Sequence, residues 1–283
     1  MNTRGSPVIL FTDLDGTLLD AQSYSAAAAA EALDEIERRH VPLVFCTSKT
    51  RSEAEVLRRE LGNAHPFVTE NGGGIFIPQG YFPIALPQAT AVGRYHRIAL
   101  ARPYKEIVQE LDQLAADTGT TVVGFHHMSV NEVARNTGLS SNEARLALAR
   151  EFDEPFFFAG ATERAEQAFV EQAQRKGLRL VRGGRFWHLF SGSDKGRAVR
   201  ELMRLYRSAW RTRVRAVAIG NSSNDLPMLA AADVAILLPE ENGELNAEVL
   251  SRLPSVHRGT APGPAGWNRA ILELLRGSSA RVQ

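Results

Sequence analysis

Two aspartates separated by a single residue follow an apolar run near the start of the chain. The segment reads Phe11-Thr-Asp13-Leu-Asp15-Gly-Thr17. Side chains at positions i and i+2 of an extended segment share a face, so Asp13 and Asp15 are expected to point together beyond the end of a strand. At about 4 Å and an effective dielectric of about 20, two carboxylates repel by roughly 4 kcal/mol. The pair therefore predicts a bound Mg²⁺ and a proton on Asp15, whereas the alternative is a turn with two solvated aspartates.

A hydroxyl-rich segment lies where a second apolar run ends and a helix is expected to begin. It spans Cys46–Arg51 and reads CTSKTR. A hydroxyl and free backbone N–H groups at such a junction suit a phosphate oxygen, which makes the segment a candidate phosphate-binding loop. The alternative is simple capping of the helix by Ser48 or Thr50.

A lysine stands directly after an aspartate at the start of a later helix. Asp194 is a good N-terminal cap, so the helix alone explains it. Lys195 is harder to explain in this way, because a cation in the first turn opposes the helix dipole. The position favours a functional ammonium group, and the alternative is a solvated surface lysine.

Oxygen-bearing side chains follow a further buried strand, in the segment Gly220–Asp225, which reads GNSSND. Mg²⁺ is a hard cation that prefers oxygen ligands. We therefore expect one Mg²⁺ to be shared by the Asp13 carboxylate, the Asp15 backbone carbonyl, and groups of this loop, Asn221 and Asp225 among them.

The elements that carry these segments alternate between short β-rich runs and helices, which predicts a parallel sheet flanked by helices. A capping box at Ser52–Glu55 is expected to open the second helix, and Gly62 to close it. The predicted elements are strands at Pro7–Phe11, Pro42–Cys46, Val214–Gly220 and Val234–Leu238, two short strands within 66–78, and helices at Ala26–Arg39, Lys195–Arg207 and Leu226–Ala232.

The pattern changes between about Pro87 and His188, where it indicates a separate α+β module inserted into the first domain. Its predicted helices are Tyr104–Thr118, Ser140–Glu151 and Ala161–Lys176, and its strands are Thr121–Gly124, Pro155–Ala159 and Arg179–Val181. The predicted fold class is α/β, with a doubly wound parallel-sheet (Rossmann-like) core and an inserted α+β cap domain. The predicted division is 1–86 and 190–283 for the core and 87–189 for the cap.

The composition fits a folded protein of one large domain or two modest ones, with 283 residues, 44% of them hydrophobic and 23% charged. A formal net charge of +1 argues against a nucleic-acid surface. No apolar stretch is long enough to span a bilayer and the start lacks a secretory pattern, so no membrane association and a cytoplasmic location are expected. The single cysteine, Cys46, is predicted to be a core residue. The oligomeric state is left open.

The four segments, in this order and each at a strand end or helix start, resemble the motifs of haloacid dehalogenase-type phosphatases. The resemblance implies that Asp13 is the nucleophile and that Asp15 protonates the leaving oxygen and then activates water. It also implies that Thr47 supplies the phosphate-binding hydroxyl and that Lys195 neutralises the nucleophile and the transferring phosphate. The chain departs from the pattern at Asn221, where most relatives carry an aspartate.

The insertion after the second motif marks the cap arrangement of sugar-phosphate phosphatases and phosphomannomutases. Several segments resemble mannosyl-3-phosphoglycerate phosphatases in particular, namely Thr47–Glu53, Glu70–Gly73, Thr137–Leu139, Arg150–Pro155 and Gly183–Leu189. The resemblance implies hydrolysis of mannosyl-3-phosphoglycerate to mannosylglycerate and phosphate.

A phosphorylated glycoside of this kind offers a carboxylate, a phosphate and a ring of hydroxyls. The candidate substrate-binding residues are Ser48, Lys49, Asn71, Gly72, Arg185 and His188. The loop that carries Arg185 and His188 can equally be part of the cap core. Other functions left open are a glucosyl-3-phosphoglycerate or other sugar-phosphate phosphatase, a phosphomannomutase-like phosphotransferase, and a catalytically silent binding protein.

Overall fold

The computed structural model describes residues 6–182 and 186–279, and within them the chain forms two sheets of nine and four strands. The strands, in chain order, are β1 Val8–Thr12, β2 Leu43–Cys46, β3 Phe67–Thr69, β4 Gly74–Pro78, β5 Thr90–Val92, β6 Tyr95–Ala99, β7 Val122–Gly124, β8 Asp153–Phe158, β9 Leu178–Arg182, β10 Trp187–Ser191, β11 Arg215–Gly220, β12 Val234–Leu237 and β13 His257–Arg258. The α-helices are α1 Ala30–Arg38, α2 Arg51–Glu60, α3 Tyr104–Thr118, α4 Val130–Thr137, α5 Ser141–Ala147, α6 Glu163–Arg175, α7 Lys195–Trp210, α8 Leu226–Ala231, α9 Ala247–Arg252 and α10 Gly263–Ser279.

The large sheet has the order β13-β12-β11-β1-β2-β3-β4-β6-β5. The strands from β13 to β3 are parallel, and β4, β6 and β5 continue the sheet in antiparallel pairs. The chain moves outward in one direction from β1 to β3 and in the other from β11 to β13. A crevice is expected where the order reverses, at the carboxyl ends of β1 and β11.

Helices cover both faces of this sheet, which explains why its central strands are continuous apolar runs. Ile9 and Phe11 of β1 pack on the side of α7, and Leu10 packs on the opposite side with Trp267 of α10. Cys46 lies in this core and is fully buried, as predicted. Burial raises the pKa of its thiol far above the ordinary value.

The small sheet, with the order β7-β8-β10-β9, is antiparallel throughout. Helices α3 and α6 pack on one face of it. The predicted fold class, a doubly wound core sheet with an inserted α+β cap, is confirmed by this arrangement. None of the described helices combines the length and apolar character that a membrane span requires.

Several predicted elements differ from the structure by a few residues at their ends, and two predictions about helices are wrong. The capping box of α2 is Thr50–Glu53 rather than Ser52–Glu55, since the Thr50 hydroxyl accepts from the Glu53 N–H at 3.2 Å and Glu53 accepts from the Thr50 N–H at 2.8 Å. Glu55 instead accepts from Arg51. The helix predicted at Ser140–Glu151 ends at Ala147, and a helix that the sequence analysis missed, α4, precedes it.

The large sheet also extends further along the chain than predicted. Strands β5 and β6 pair with it, so it continues past position 87, where the predicted insertion begins. The chain enters the small sheet only at β7. The domain boundaries themselves stay a prediction.

A buried carboxylate joins the two sheets. Glu70, at the end of β3, accepts hydrogen bonds from three consecutive backbone N–H groups at the start of β8, those of Glu151 (3.0 Å), Phe152 (2.7 Å) and Asp153 (2.9 Å). Glu70 is completely buried and has a positive φ of +49°. Glu70 therefore attaches the start of β8, in the small sheet, to the end of β3, in the large sheet, through buried hydrogen bonds.

The variant Glu70→Gln should lower the free energy of unfolding by about 1–3 kcal/mol, because the amide nitrogen faces N–H donors where a carboxylate oxygen accepted them. Urea unfolding measures this loss. The matched control is Glu163→Gln, an exposed glutamate on α6, which should change little. Equal stability of the two variants would show that Glu70 does not fix the cap.

Candidate active site

A buried lysine joins two carboxylates at the carboxyl edge of the large sheet. Lys195 Nζ lies 2.7 Å from Asp13 Oδ1 and 2.6 Å from Asp225 Oδ1. Asp13 follows β1, Asp225 follows β11, and Lys195 opens α7, which is capped by the Asp194 side chain. The structure thus brings together the first, third and fourth of the predicted motifs.

Electrostatics at this centre favour an additional positive charge. Burial raises the pKa of Asp13 to about 7, and the neighbouring Asp225 adds to the rise, although the Lys195 ammonium opposes it. Burial alone would lower the pKa of Lys195, but Asp13 and Asp225 hold it above the ordinary value. One buried ammonium is therefore shared between two carboxylates, and it does not cancel the rise in the pKa of Asp13.

The loop after β11 is ordered by Asp225. The second oxygen of this carboxylate, Oδ2, accepts from the backbone N–H groups of Asn221 at 3.0 Å and Ser222 at 3.2 Å. A Cβ atom at Gly220 would lie 2.5 Å from the Asp225 side chain, so the close packing requires glycine there. Both oxygens of Asp225 thus already accept hydrogen bonds from the protein.

Asn221 ties this loop to the loop after β1. Its Nδ2 donates to the Gly16 carbonyl oxygen at 3.1 Å. Gly16 has φ of +70°, and a Cβ atom there would lie 2.7 Å from Asn221 Nδ2. The amide is oriented by this contact, because only its nitrogen can donate to a carbonyl. The Asn221 side-chain oxygen remains available to a ligand.

The residues present fit a hard divalent cation. Of the described side chains at this edge, Asp13, Asp15 and Asp225 are carboxylates, and Lys195 and Lys49 are the ammonium groups that contact them, which leaves one net negative charge. Burial is the largest cause of the raised pKa of Asp13, and the neighbouring carboxylates of Asp225 and Asp15 add to it. Oxygen donors within this set, from Asp13 and Asn221 first, are of the type that Mg²⁺ binds.

Asp15 is paired with the lysine of the second motif. Lys49 Nζ lies 2.8 Å from Asp15 Oδ1 and 4.8 Å from the centre of the Tyr24 ring. Burial would lower the pKa of Lys49, but Asp15 and Glu53 raise it above the ordinary value. The sequence predicts Lys49 as a substrate ligand, and in the structure its ammonium group contacts Asp15, the candidate acid–base residue.

Thr47 is buried at the end of β2. Its Oγ accepts from the Lys49 backbone N–H at 3.1 Å, and its carbonyl oxygen accepts from the Asn71 N–H at 3.0 Å. Among the described residues, no acceptor holds the Thr47 hydroxyl hydrogen. The hydroxyl can therefore donate to a phosphate oxygen. The backbone carbonyl of the neighbouring Ser48 accepts from Arg150 at 3.0 Å.

Three side chains from core and cap, those of Asn71, Arg150 and His188, meet around the buried carboxylate of Asp153. Its Oδ2 accepts from Asn71 Nδ2 at 2.9 Å and lies 3.1 Å from His188 Nδ1, and its Oδ1 lies 2.8 Å from Arg150 Nη1. Burial would raise the pKa of Asp153, but Arg150 and His188 hold it below the ordinary value. Because a carboxylate only accepts, His188 carries its proton on Nδ1 and presents Nε2 to a ligand.

Two of the predicted substrate ligands, Asn71 and His188, belong to this cluster, and Gly72 adjoins it in the chain. The side-chain oxygen of Asn71 is buried and has no hydrogen-bond partner among the described residues. Gly72 has φ of +95°, and a Cβ atom there would lie 2.3 Å from the Asp194 backbone, so glycine is required for the turn to approach α7. Arg185, the other predicted cap ligand, lies outside the described residues.

Arg150 and Asp153 were missed as site residues by the sequence analysis. They stand in one of the segments that carry the family resemblance, and an arginine three residues before an aspartate could have indicated a local ion pair. Nothing in the sequence shows that this pair is buried against Asn71, which lies far away in the chain.

A cleft of about 720 Å³ opens beside this centre, between core and cap. Ligand sites in proteins have volumes of roughly 300–1,000 Å³. Its lining includes Asn71, Lys195, Ser223, Asn224, Arg179 and Arg182. The cleft is large enough for a phosphorylated glycoside.

A family model described as haloacid dehalogenase-like hydrolase matches residues 10–82. The chain is 41% identical over 267 residues to the glucosyl-3-phosphoglycerate/mannosyl-3-phosphoglycerate phosphatase of Methanococcoides burtonii, covering 94% of this chain and 97% of that protein. A protein of the same name from Persephonella marina is 37% identical, covering 95% and 97%. The mannosyl-3-phosphoglycerate phosphatase of Pyrococcus furiosus is 32% identical, covering 88% and 97%.

Solved structures agree with the fold. The HAD subclass IIB sugar phosphatase BT4131 superposes with a TM-score of 0.64 at 16% identity, covering 95% of this chain and 99% of that one. A Thermoplasma acidophilum protein, 0175, superposes with a TM-score of 0.65 at 16% identity, covering 97% and 99%. At this identity the likeness shows the fold alone.

The raised pKa of Asp13 predicts a pH-dependent stability of the metal-free protein. Its pKa is about 7 in the folded chain against 3.8 for the free side chain, so the stabilisation is fully present below about pH 4 and is lost as the pH rises through about 7. Asp13→Asn removes this titration, so the variant should gain a few kcal/mol relative to the wild type between those limits. Urea unfolding in EDTA measures it. Parallel stability curves for the two proteins would contradict the raised pKa.

Proposed function

This chain belongs to the haloacid dehalogenase-like hydrolases and, within them, to the mannosyl-3-phosphoglycerate phosphatase family, and we propose that it hydrolyses mannosyl-3-phosphoglycerate to mannosylglycerate and phosphate. The observation that carries this proposal is the chain of contacts Asp13–Lys195–Asp225 at the switch point of the sheet, with Thr47 and Asp15 beside it. Two of the relatives are named for both glucosyl- and mannosyl-3-phosphoglycerate, which supports glucosyl-3-phosphoglycerate as a second substrate.

The first step is the transfer of the phosphoryl group to the protein. An Asp13 carboxylate oxygen attacks phosphorus, the bond from phosphorus to the glycerate oxygen breaks, and Asp15 gives its proton to that oxygen. Lys195 neutralises part of the charge on Asp13 and on the phosphate, and the Thr47 hydroxyl donates to a phosphate oxygen. The glycoside leaves as the neutral alcohol, and the phosphoryl group remains on Asp13.

The second step is the hydrolysis of this phosphoaspartate. Asp15, now a carboxylate, takes a proton from water as the water oxygen attacks phosphorus. The bond between phosphorus and the Asp13 oxygen breaks, which releases phosphate and restores both aspartates. Asp13, the Asp15 carbonyl and Asn221 would hold Mg²⁺, which when bound would supply positive charge to the phosphoryl oxygens. In this proposal Asp225 also positions Lys195 and the loop, because its oxygens accept from Lys195 Nζ and from the backbone N–H groups of Asn221 and Ser222.

The glycerate and the sugar are assigned to the cluster around Asp153. Asn71 Oδ1 and His188 Nε2 are the open polar atoms of that cluster, and they suit the hydroxyls of the glycoside. The Arg150 guanidinium is buried on Asp153, so it holds the cluster in place. This arrangement supports a substrate longer than a simple phosphate ester.

The direct test of the function is release of phosphate from a panel of mannosyl-3-phosphoglycerate, glucosyl-3-phosphoglycerate, common hexose phosphates and p-nitrophenyl phosphate, with Mg²⁺. The highest kcat/KM is expected for a glycosyl phosphoglycerate, and Asp13→Asn should abolish turnover because an amide cannot attack phosphorus. A preference for an unrelated phosphate would refute the substrate assignment.

The same panel separates the other two functions. Conversion of a hexose monophosphate into its positional isomer, with a trace of hexose bisphosphate supplied and no free phosphate released, would indicate a phosphomannomutase-like phosphotransferase. Binding of the substrate without any turnover would indicate a silent protein.

The contact of Lys49 with Asp15 gives a second prediction. If Lys49 positions Asp15, then Lys49→Met should lower kcat about 10²-fold on both a glycosyl phosphoglycerate and p-nitrophenyl phosphate, because a displaced acid–base group acts on every ester. KM should change little, and Lys49→Arg should recover part of the activity. The control is Lys105→Met, an exposed lysine of the cap. A rise in KM for the glycosyl substrate alone would instead make Lys49 a substrate ligand.

A further inference from the structure

Two histidines and an aspartate meet on the outer part of the cap, away from the phosphatase centre. Asp112 lies on α3, and His126 and His127 follow β7. His126 Nε2 is 3.2 Å and His127 Nε2 is 3.5 Å from the same atom, Asp112 Oδ1. The three candidate ligand atoms lie within 4.8 Å of one another.

These distances fit the edges of a small coordination polyhedron. Imidazole nitrogens and carboxylate oxygens bind Zn²⁺ at about 2.0–2.2 Å in tetrahedral sites, which puts neighbouring ligand atoms roughly 3.3–3.5 Å apart. Both distances to Asp112 Oδ1 are close to this value. An ion bound to Asp112 and His126 therefore needs only small movements of these two side chains.

A buried carboxylate orients the first of the histidines. Glu154, which is completely buried, lies 2.6 Å from His126 Nδ1 and also accepts from the His126 backbone N–H at 3.0 Å. Its other oxygen accepts from the Tyr104 hydroxyl at 2.6 Å. A Cβ atom at Gly124 would lie 2.3 Å from the Glu154 carboxylate, so glycine leaves room for the contact. Metal-binding histidines are commonly held by such a carboxylate.

This contact decides which nitrogen of His126 can bind. Glu154 only accepts, so Nδ1 carries a proton and Nε2, which faces Asp112, is the atom that can give its lone pair to a cation. In the metal-free protein a second proton on Nε2 lets His126 bridge the two carboxylates, and Glu154 and Asp112 raise its pKa. A metal ion replaces that proton.

His127 needs a larger adjustment. Its Nδ1 accepts a long hydrogen bond of 3.3 Å from the Gly124 N–H, so its proton resides on Nε2. Binding through Nε2 moves that proton to Nδ1 and gives up the long hydrogen bond. The ring is nearly half exposed and is therefore able to turn. His127 is the ligand that closes the site.

We propose that Asp112, His126 and His127 form a second metal site, one for a borderline divalent transition-metal ion such as Zn²⁺. Two imidazoles with one carboxylate suit Zn²⁺ and its neighbours better than Mg²⁺, which prefers oxygen ligands. The site joins α3 to the end of β7. Glu154 and Asp153 are neighbours on β8 and so point to opposite faces of the small sheet, which separates this site from the cluster that holds His188.

The test uses the full chain, stripped with a chelator and dialysed against micromolar Zn²⁺ in a large excess of Mg²⁺, so that the oxygen-rich site in the core is filled. The wild type should retain one Zn²⁺ per chain. His127→Ala and Asp112→Asn should lose it, and Glu154→Gln should weaken binding about 10–100-fold. Co²⁺ in place of Zn²⁺ should give the visible absorption of a tetrahedral ion in the wild type and not in His127→Ala.

His257→Ala, which removes an exposed histidine elsewhere, is the matched control and should bind as the wild type does. Equal Zn²⁺ retention by His127→Ala and the wild type, or no retention by the wild type, overturns the proposal. Thermal unfolding without metal shows that each variant is folded. Phosphate release by His127→Ala should equal that of the wild type, and neither metal result depends on the identity of the phosphatase substrate.

Discussion

The buried ammonium of Lys195 is the constraint on which the centre of the molecule depends. Removing an ion from water costs several kcal/mol even after relaxation, so Lys195 is tolerable only where carboxylates surround it. The carboxylates belong to the ends of two neighbouring parallel strands, Asp13 after β1 and Asp225 after β11. The register of the sheet, the start of α7 and the glycines that let the loops approach all serve to keep these three charges within hydrogen-bond distance. A lysine in the first turn of a helix opposes the helix dipole, and this pairing is what offsets the cost.

A second buried set of charges links the cap to the core by the same logic. Asp153 and Arg150 form an ion pair that is almost fully buried, and Glu70 is satisfied by backbone N–H groups of the segment that carries them. The turn of the core at Asn71 contacts the cap directly, through a buried hydrogen bond from Asn71 to Asp153. The open polar atoms of Asn71 in the core and of His188 in the cap are therefore both positioned by one carboxylate, that of Asp153. In the proposed function, the residues that bind the substrate are thus also residues that attach the cap to the core.

Much of this organisation could be predicted from the sequence, because it depends on local patterns. The apolar runs of β1, β2 and β11 and the polar residues directly after them determine both the parallel sheet and the edge at which Asp13, Thr47 and Asn221 meet. What could not be predicted depends on partners far away in the chain. The hairpin β5–β6 joins the large sheet only because β4 offers a free edge. The segment around Lys49 predicts a substrate ligand. Only the folded structure shows that the Lys49 ammonium group contacts Asp15. The capping box of α2 is predicted at the wrong residues because Ser52–Glu55 and Thr50–Glu53 have the same spacing. In the structure Glu55 accepts a hydrogen bond from Arg51 and therefore does not cap the helix.

Asn221 stands where the resemblance to haloacid dehalogenase-type phosphatases implies an aspartate. An aspartate at this position would add a negative charge beside Asp13, whose pKa is already raised by burial and by Asp225. A carboxylate would also face the Gly16 carbonyl oxygen, to which the Asn221 amide now donates. The amide therefore keeps an oxygen for a cation and adds a hydrogen bond between the two loops that must hold it. In the proposed metal site the amide attracts a cation less strongly than a carboxylate would, and the hydrogen bond to Gly16 fixes the position of the amide oxygen. Two facing carboxylates would need a cation between them to hold the two loops together. The hydrogen bond from Asn221 to Gly16 links the loops without one.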